Sequence, residues 1–226
     1  MTPPRPSRAP LFVVLEGIDG SGTTTQLDRL VEHLRERGRQ AVATREPSTG
    51  PIGRLLREIL LGQHAVPMPA GGASPVDGRA MALLFAADRR DHLGREVEPA
   101  LTNGADVVSD RYILSSLAYQ AVEAERQWVE TLADGLRRPD LTILLDVPIA
   151  VAAERRRRAQ RATERYDADG TLERVAENYR RLAVRGGDGR WGPVTVIDAS
   201  GTVDDVGRQI ASEVDRLVDR PGMSSE

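Results

Sequence analysis

Two rhythms of hydrophobic residues alternate along the chain. Short apolar runs stand at residues 11–15 (LFVVL), 41–44 (AVAT), 106–109 (DVVS), 141–145 (LTILL) and 194–197 (VTVI). Runs of this length predict strands, and LTILL, with little polar interruption, reads as the clearest central one. Between the runs, apolar residues return every three or four positions. They do so at Leu27, Leu30 and Leu34, at Ile52, Leu55, Leu56, Ile59 and Leu60, and then across 79–101, 115–133, 171–184 and 203–218. That spacing predicts helices with one buried face. Gly38 fits the end of the first helix, and the glycine- and proline-rich stretch 62–78 reads as a mobile loop rather than a second domain. Strands alternating with helices imply an α/β fold, a five-stranded parallel sheet with helices on both faces.

Both ends lack this patterning. Residues 1–10, rich in proline and arginine, read as a disordered arm, and residues 220–226 as a loose tail, which leaves a single domain over 11–219. A length of 226 residues is enough for a sizeable core. Without cysteine, disulfides and thiolate metal sites are excluded. No apolar run approaches a membrane span and the start lacks the apolar core of a secretion signal, so a cytoplasmic location and no membrane partner are expected. A formal charge of −3 and 4% aromatic residues argue against a nucleic-acid partner. All 31 basic residues are arginine, and lysine is absent throughout.

The chemistry starts where the first strand meets the first helix. Residues 17–24, GIDGSGTT, carry Gly17, Gly20 and Gly22 between an apolar strand and a helical run. Glycines let the backbone curl so that several N–H groups face one concavity, and the helix adds its positive end, a combination that favours phosphate. The spacing is that of the P-loop, G-x-x-x-x-G-K-[ST], with Thr23 where the lysine belongs. Thr24 stands where a hydroxyl reaches a magnesium ion bridging nucleotide phosphates, a role compatible with capping the helix. Asp110 and Arg111 end another strand, the place where ligands bind to parallel sheets. Phe85 and Arg89, four residues apart, share a helix face that is either core or a pocket wall. The run AERRRRAQRATERYDADG at 153–170 is either a solvated helix face or a source of cations for phosphate.

Together, EGIDGSG, TREP, LLFAADR, SDRYILSSLAYQ and PDLTILLDVP, in this order, make the chain resemble the thymidylate kinase family over roughly 11–218. The resemblance implies a P-loop kinase fold, transfer of the ATP γ-phosphoryl group to dTMP with Mg2+ as cofactor, and a homodimer. It implies that Gly17, Ile18, Asp19, Gly20, Ser21, Gly22, Thr23 and Thr24 bind ATP, with Thr24 and Asp110 serving the metal. It implies further that Phe85 stacks on thymine and Arg89 bonds its edge, that Arg45 and Arg111 hold the dTMP phosphate, and that Ser116 contacts the base. Tyr119 then packs on the sugar and Asp19 receives its 3′-hydroxyl. The segment 153–170 corresponds to the family's lid, with Arg157 and Arg161 as candidates for a catalytic cation. Its usual Asp-Arg-x-Glu pattern appears as Glu164, Arg165, Tyr166 and Asp167. Thr23 leaves two outcomes open: an active kinase in which a lid arginine replaces the lysine, or a nucleotide-binding protein with weak or no kinase activity.

Overall fold

Strand β1 (Phe12–Gly17) is buried along its whole length, as is β5 (Asp106–Asp110), and β6 (Leu141–Asp146) is buried except at its last residue. Continuous apolar runs of this kind suit strands covered on both faces. A computed structural model describes residues 9–64, 66–67, 73–159, 165–167, 170–185 and 189–219. Residues 1–8 of the arm expected over 1–10, the tail at 220–226, and Arg161 and Glu164 lie outside these.

In chain order the elements are β1, α1 (Thr23–Glu36), β2 (Ala41–Arg45), α2 (Pro51–Leu60), β3 (Val66–Pro67), β4 (Ala73–Ser74), α3 (Gly78–His92), a π-helical turn (Leu93–Val97) and α4 (Glu98–Thr102). After β5 come α5 (Ile113–Tyr119), a 3-10 turn (Gln120–Val122), α6 (Arg126–Thr131), β6, α7 (Ile149–Arg158), a second 3-10 turn (Arg165–Asp167), α8 (Thr171–Arg185), β7 (Val194–Asp198) and α9 (Val203–Val218). Five strands form the expected sheet in the order β2-β5-β1-β6-β7, with every pairing parallel. The edge strands β2 and β7 are partly exposed, in keeping with their more polar sequences. Helix α1 packs on α9, and α5 packs on α8.

Three elements depart from the sequence pattern. Within 62–78, read as loop, β3 and β4 pair antiparallel through Val66 with Ser74 and Pro67 with Ala73. The helix expected over 79–101 changes pitch at its π turn, which places His92 and Glu96 together on Thr44: His92 Nε2 lies 2.6 Å from Thr44 Oγ1, and that hydroxyl donates to Glu96 Oε2 at 2.7 Å. The helix expected over 115–133 breaks after Tyr119. There Gln120 accepts at its carbonyl from Glu123 N and Ala124 N, and Glu123 turns to pair with Arg165 at 2.9 Å. Gly78, at the start of α3, sits so close that an added Cβ would lie 2.6 Å from Glu123 Cβ. These are tertiary contacts overriding a local helical rhythm.

Candidate active site

All five parallel strands deliver their carboxyl ends to one edge of the sheet, and β1 lies at its centre, with β5 and β2 on one side and β6 and β7 on the other. Such an edge is where α/β folds bind ligands. The loop after β1 turns through Gly20 and Gly22, whose φ angles of 91° and 101° belong to the left-handed region that glycine enters without a steric penalty. Ser21 N donates to Ile18 O at 2.9 Å, which closes the turn, and Gly22 caps α1. Gly20 also lies against α7, where an added Cβ would be 2.4 Å from the Ala152 carbonyl oxygen. Thr23 is buried as the first residue of α1.

Thr24 Oγ1 donates to Asp110 Oδ2 at 2.7 Å, joining the loop to the end of β5. The other carboxylate oxygen, Asp110 Oδ1, is buried and has no hydrogen-bond partner among the described residues. A hydroxyl beside a buried carboxylate oxygen that lacks a donor is a donor set suited to Mg2+, which takes a few protein oxygens and completes its shell with phosphate and water. Among the described residues no group of three or more His, Asp or Glu forms a metal site by itself.

Arg111 is held by an unusual backbone. Its φ of 73° is the one positive value outside glycine among the described residues. Such strain persists only where the surroundings fix it. Arg111 N donates to Leu15 O, and the guanidinium reaches Gly17 O at 3.0 Å, Asp19 Oδ1 at 2.8 Å and Ser115 Oγ at 3.2 Å. It also lies over the Tyr119 ring at 5.1 Å. Tyr119 OH donates to Asp19 Oδ2 at 3.0 Å and accepts from Asp19 N at 3.2 Å. Asp19, Arg111 and Tyr119 thus form one cluster, with burial pushing the Tyr119 phenol well above its ordinary range. Ile18 packs in the core beneath it.

Beneath the cluster lies Glu16, wholly buried. It accepts from Tyr112 N at 2.9 Å, Ser115 N at 3.1 Å, Ser115 Oγ at 2.5 Å and Tyr179 OH at 3.0 Å. Burial raises its carboxyl above the ordinary glutamate value, and the bonds from Ser115 and Tyr179 and the Arg111 charge only partly oppose this.

On the other side of β5, Arg89 is 2% exposed. Its Nε donates to Glu46 Oε2 at 2.8 Å, and its Nη2 donates to Tyr112 O and Ser116 Oγ, both at 2.9 Å. Nη1 has no hydrogen-bond partner among the described residues. Glu46 also meets His92 Nδ1 at 3.2 Å. Phe85, one turn before Arg89, is half-buried against the core.

A cavity of about 500 Å³ opens over the glycine loop, a volume suited to a nucleotide-sized ligand. Arg45, Asp110, Arg111, Arg155 and Arg156 line it with the loop, while Phe85, Arg89, Ser116 and Tyr119 do not. Arg157 is absent from its walls as well: 75% exposed, it donates to Glu154 at 2.7 Å.

The thymidylate kinase family model matches residues 15–210. The chain belongs to the thymidylate kinase family. It is 41% identical over 208 residues to a "Probable thymidylate kinase" of Pyrobaculum aerophilum, covering 92% of this chain and 97% of that one. It is 40% identical over 181 residues to a "Thymidylate kinase" of Alkalilimnicola ehrlichii, covering 77% and 80%, and 38% identical over 210 residues to one of Burkholderia vietnamiensis, covering 86% and 92%.

In this thymidylate kinase family chain, sequence reading missed Glu16, Glu46, His92, Tyr179 and Arg155. Glu16 and Glu46 stand inside the motifs EGIDGSG and TREP, so motif position was the available signal. Tyr179 and His92 gave none, because each looks like an ordinary residue of a helical face. No described helix is long and apolar enough to cross a membrane.

Proposed function

We propose that this protein transfers the γ-phosphoryl group of ATP to dTMP, giving ADP and dTDP, as a Mg2+-dependent homodimer in the cytoplasm. The observation that carries the reading is the single cavity lined both by the glycine loop and by Arg45 and Arg111. A donor phosphate and an acceptor phosphate can share it.

The glycine loop from Gly17 to Thr24 cradles the ATP phosphates through its backbone N–H groups. Thr24 and Asp110 hold Mg2+, which supplies charge to the phosphates. Arg45 and Arg111 take the acceptor phosphate; two guanidinium forks would fix it in line for attack and neutralise it. Asp19 retains acceptor capacity for a sugar hydroxyl, since each carboxylate oxygen has a second lone pair beyond those used by Arg111 and Tyr119. Arg89 Nη1 meets a base edge, with Phe85 beside it as an aromatic face and Ser116 fixing the guanidinium plane. Phosphoryl transfer between nucleotides needs positioning and charge rather than a general base, because the attacking phosphate is already anionic. A domain over 11–219 with a lid near 153–170 belongs to the same reading. Leu55, Leu61 and Leu83 are exposed on and beside α2 and α3 and offer apolar area for a second copy.

Steady-state kinetics of Arg89→Leu test the acceptor side. The variant is expected to raise the KM for dTMP at least about tenfold, as loss of a charged hydrogen bond of roughly 1.5–3 kcal/mol would, and to leave the KM for ATP near its native value. Equal effects on both would contradict the assignment.

A further inference from the structure

Helix α3 carries Arg89 and His92 three residues apart, a spacing that puts both on one face, and both side chains are buried. A buried guanidinium needs fixed acceptors, because water does not complete its shell. Those acceptors come from the end of β2 and the start of α5. Glu46 Oε2 takes Arg89 Nε, while Tyr112 O and Ser116 Oγ take Nη2. The guanidinium is planar, so bonds at Nε and Nη2 fix the direction of Nη1. Of the three acceptors, Glu46 has the longest side chain and the most rotational freedom to lose.

His92 removes that freedom. Its Nδ1 lies 3.2 Å from Glu46 Oε1, the oxygen that Arg89 leaves open. Paired with Arg89, the Glu46 carboxylate only accepts, so Nδ1 is the donor and carries a ring proton. The far end of the ring is held as well, with Nε2 2.6 Å from Thr44 Oγ1 on β2. The same hydroxyl reaches Glu96 Oε2 at 2.7 Å, and Glu96 Oε1 accepts from Thr49 Oγ1 at 3.2 Å. Glu96 is partly exposed, so one chain of bonds runs from the surface through His92 and Glu46 to Arg89.

We infer that His92 is a positioning residue for recognition of the acceptor base: its Nδ1–H holds the Glu46 carboxylate in the orientation that aims Arg89 Nη1. The inference rests on the kinase reading, in which Nη1 meets the dTMP base, and extends it to a residue that touches no substrate. Without that bond Glu46 turns and the guanidinium loses its fixed direction. Binding of dTMP then weakens, while the transfer step, which depends on the phosphates, keeps its rate.

The test uses the full chain. Nitrogen-15 NMR of the native protein, which has three histidines, reads the His92 tautomer, with His92→Asn identifying the signal. A proton on Nδ1 is expected, and an Nδ1 without one would overturn the inference whatever the variants do. Steady-state kinetics then compare His92→Gln, His92→Asn and His92→Gln in an Arg89→Leu background, with folding checked by circular dichroism. The amide nitrogen of asparagine falls near the place of Nδ1 and donates to Glu46, whereas that of glutamine falls near Nε2 and leaves Glu46 without its donor. His92→Gln is expected to raise the KM for dTMP about three- to tenfold, the worth of one hydrogen bond, with kcat and the KM for ATP near native. His92→Asn is expected to stay near native throughout. A residue that only filled space would give the reverse order, because glutamine is nearer to histidine in volume. In the Arg89→Leu background, His92→Gln is expected to raise the KM for dTMP no further.

A near-native KM in His92→Gln, equal losses in the two His92 variants, or a His92→Gln effect that persists without Arg89 would overturn the inference. A native chain without dTMP-dependent turnover would contradict the kinase reading instead. Calorimetry with dTMP would then decide for His92: affinity weakened by His92→Gln and kept by His92→Asn supports it, while equal affinities, or no dTMP binding by the native chain, overturn it.

Discussion

Buried charge sets the character of individual residues around the cavity. Arg89 and Glu46 pair at 2.8 Å with both side chains 3% exposed, and His92, fully buried, adjoins Glu46. Removing one partner of a buried pair strands the other without solvent. Glu46→Ala is therefore expected to destabilise the fold by about 3–5 kcal/mol, measured as the urea unfolding midpoint, whereas a loss under about 1 kcal/mol, the level of a surface pair, would show that Arg89 finds other partners. Glu16 makes a pH-dependent contribution. Because burial raises its folded value above 4.5, the folded chain keeps a proton there that the unfolded chain has already released. Stability from this group is thus present at low pH and lost as pH rises through the folded value. Glu16→Gln has no such proton, so the stability advantage of the native chain over the variant should shrink as the pH is raised above 4.5 in urea unfolding. An advantage that grows with pH would contradict the account.

At the scale of elements, the contact between the glycine loop and α7 joins a phosphate cradle to a source of arginine. Gly20 and Gly22 both have positive φ, yet an added Cβ meets Ala152 O at Gly20 and open space at Gly22. Gly22→Ala should then cost only the left-handed penalty of about 1–2 kcal/mol. Gly20→Ala carries that penalty and also forces α7 away, so it should unfold at lower urea and bind ATP more weakly than Gly22→Ala. Equal behaviour would separate the loop from α7. The five parallel strands and most helices were legible from apolar period alone, because each strand run is short and bounded and each helix has one buried face. The break after Tyr119 was not, since its cause is Glu123 reaching Arg165, 42 positions away in sequence. The π turn was hidden likewise, its purpose being a contact of His92 and Glu96 with Thr44 on β2.

For the whole molecule, the site is an arrangement of strand ends that no local window contains. The positions of Gly17, Asp19 and Thr24 in one loop follow from the spacing of a motif, whereas the bonds of Thr24 to Asp110 and of Arg111 to Asp19 join segments about 90 residues apart that no motif links. Arg157 illustrates the limit. A run of four arginines shows that cations are available but not which of them faces the loop, and helix phase sends Arg155 and Arg156 inward and Arg157 outward. Ligands that bind only the folded chain stabilise it by mass action, about 2.7 kcal/mol at 100 times Kd. Adding dTMP with a non-hydrolysable ATP analogue and Mg2+ should therefore raise the melting temperature above that with either nucleotide alone.

The most direct measurement is ADP formation by the native full chain with ATP and Mg2+, with and without dTMP. The account predicts ADP formation that depends on dTMP and is matched by dTDP, despite Thr23 in the loop. No dTMP-dependent ADP, in a folded chain that binds both nucleotides by calorimetry, would contradict it.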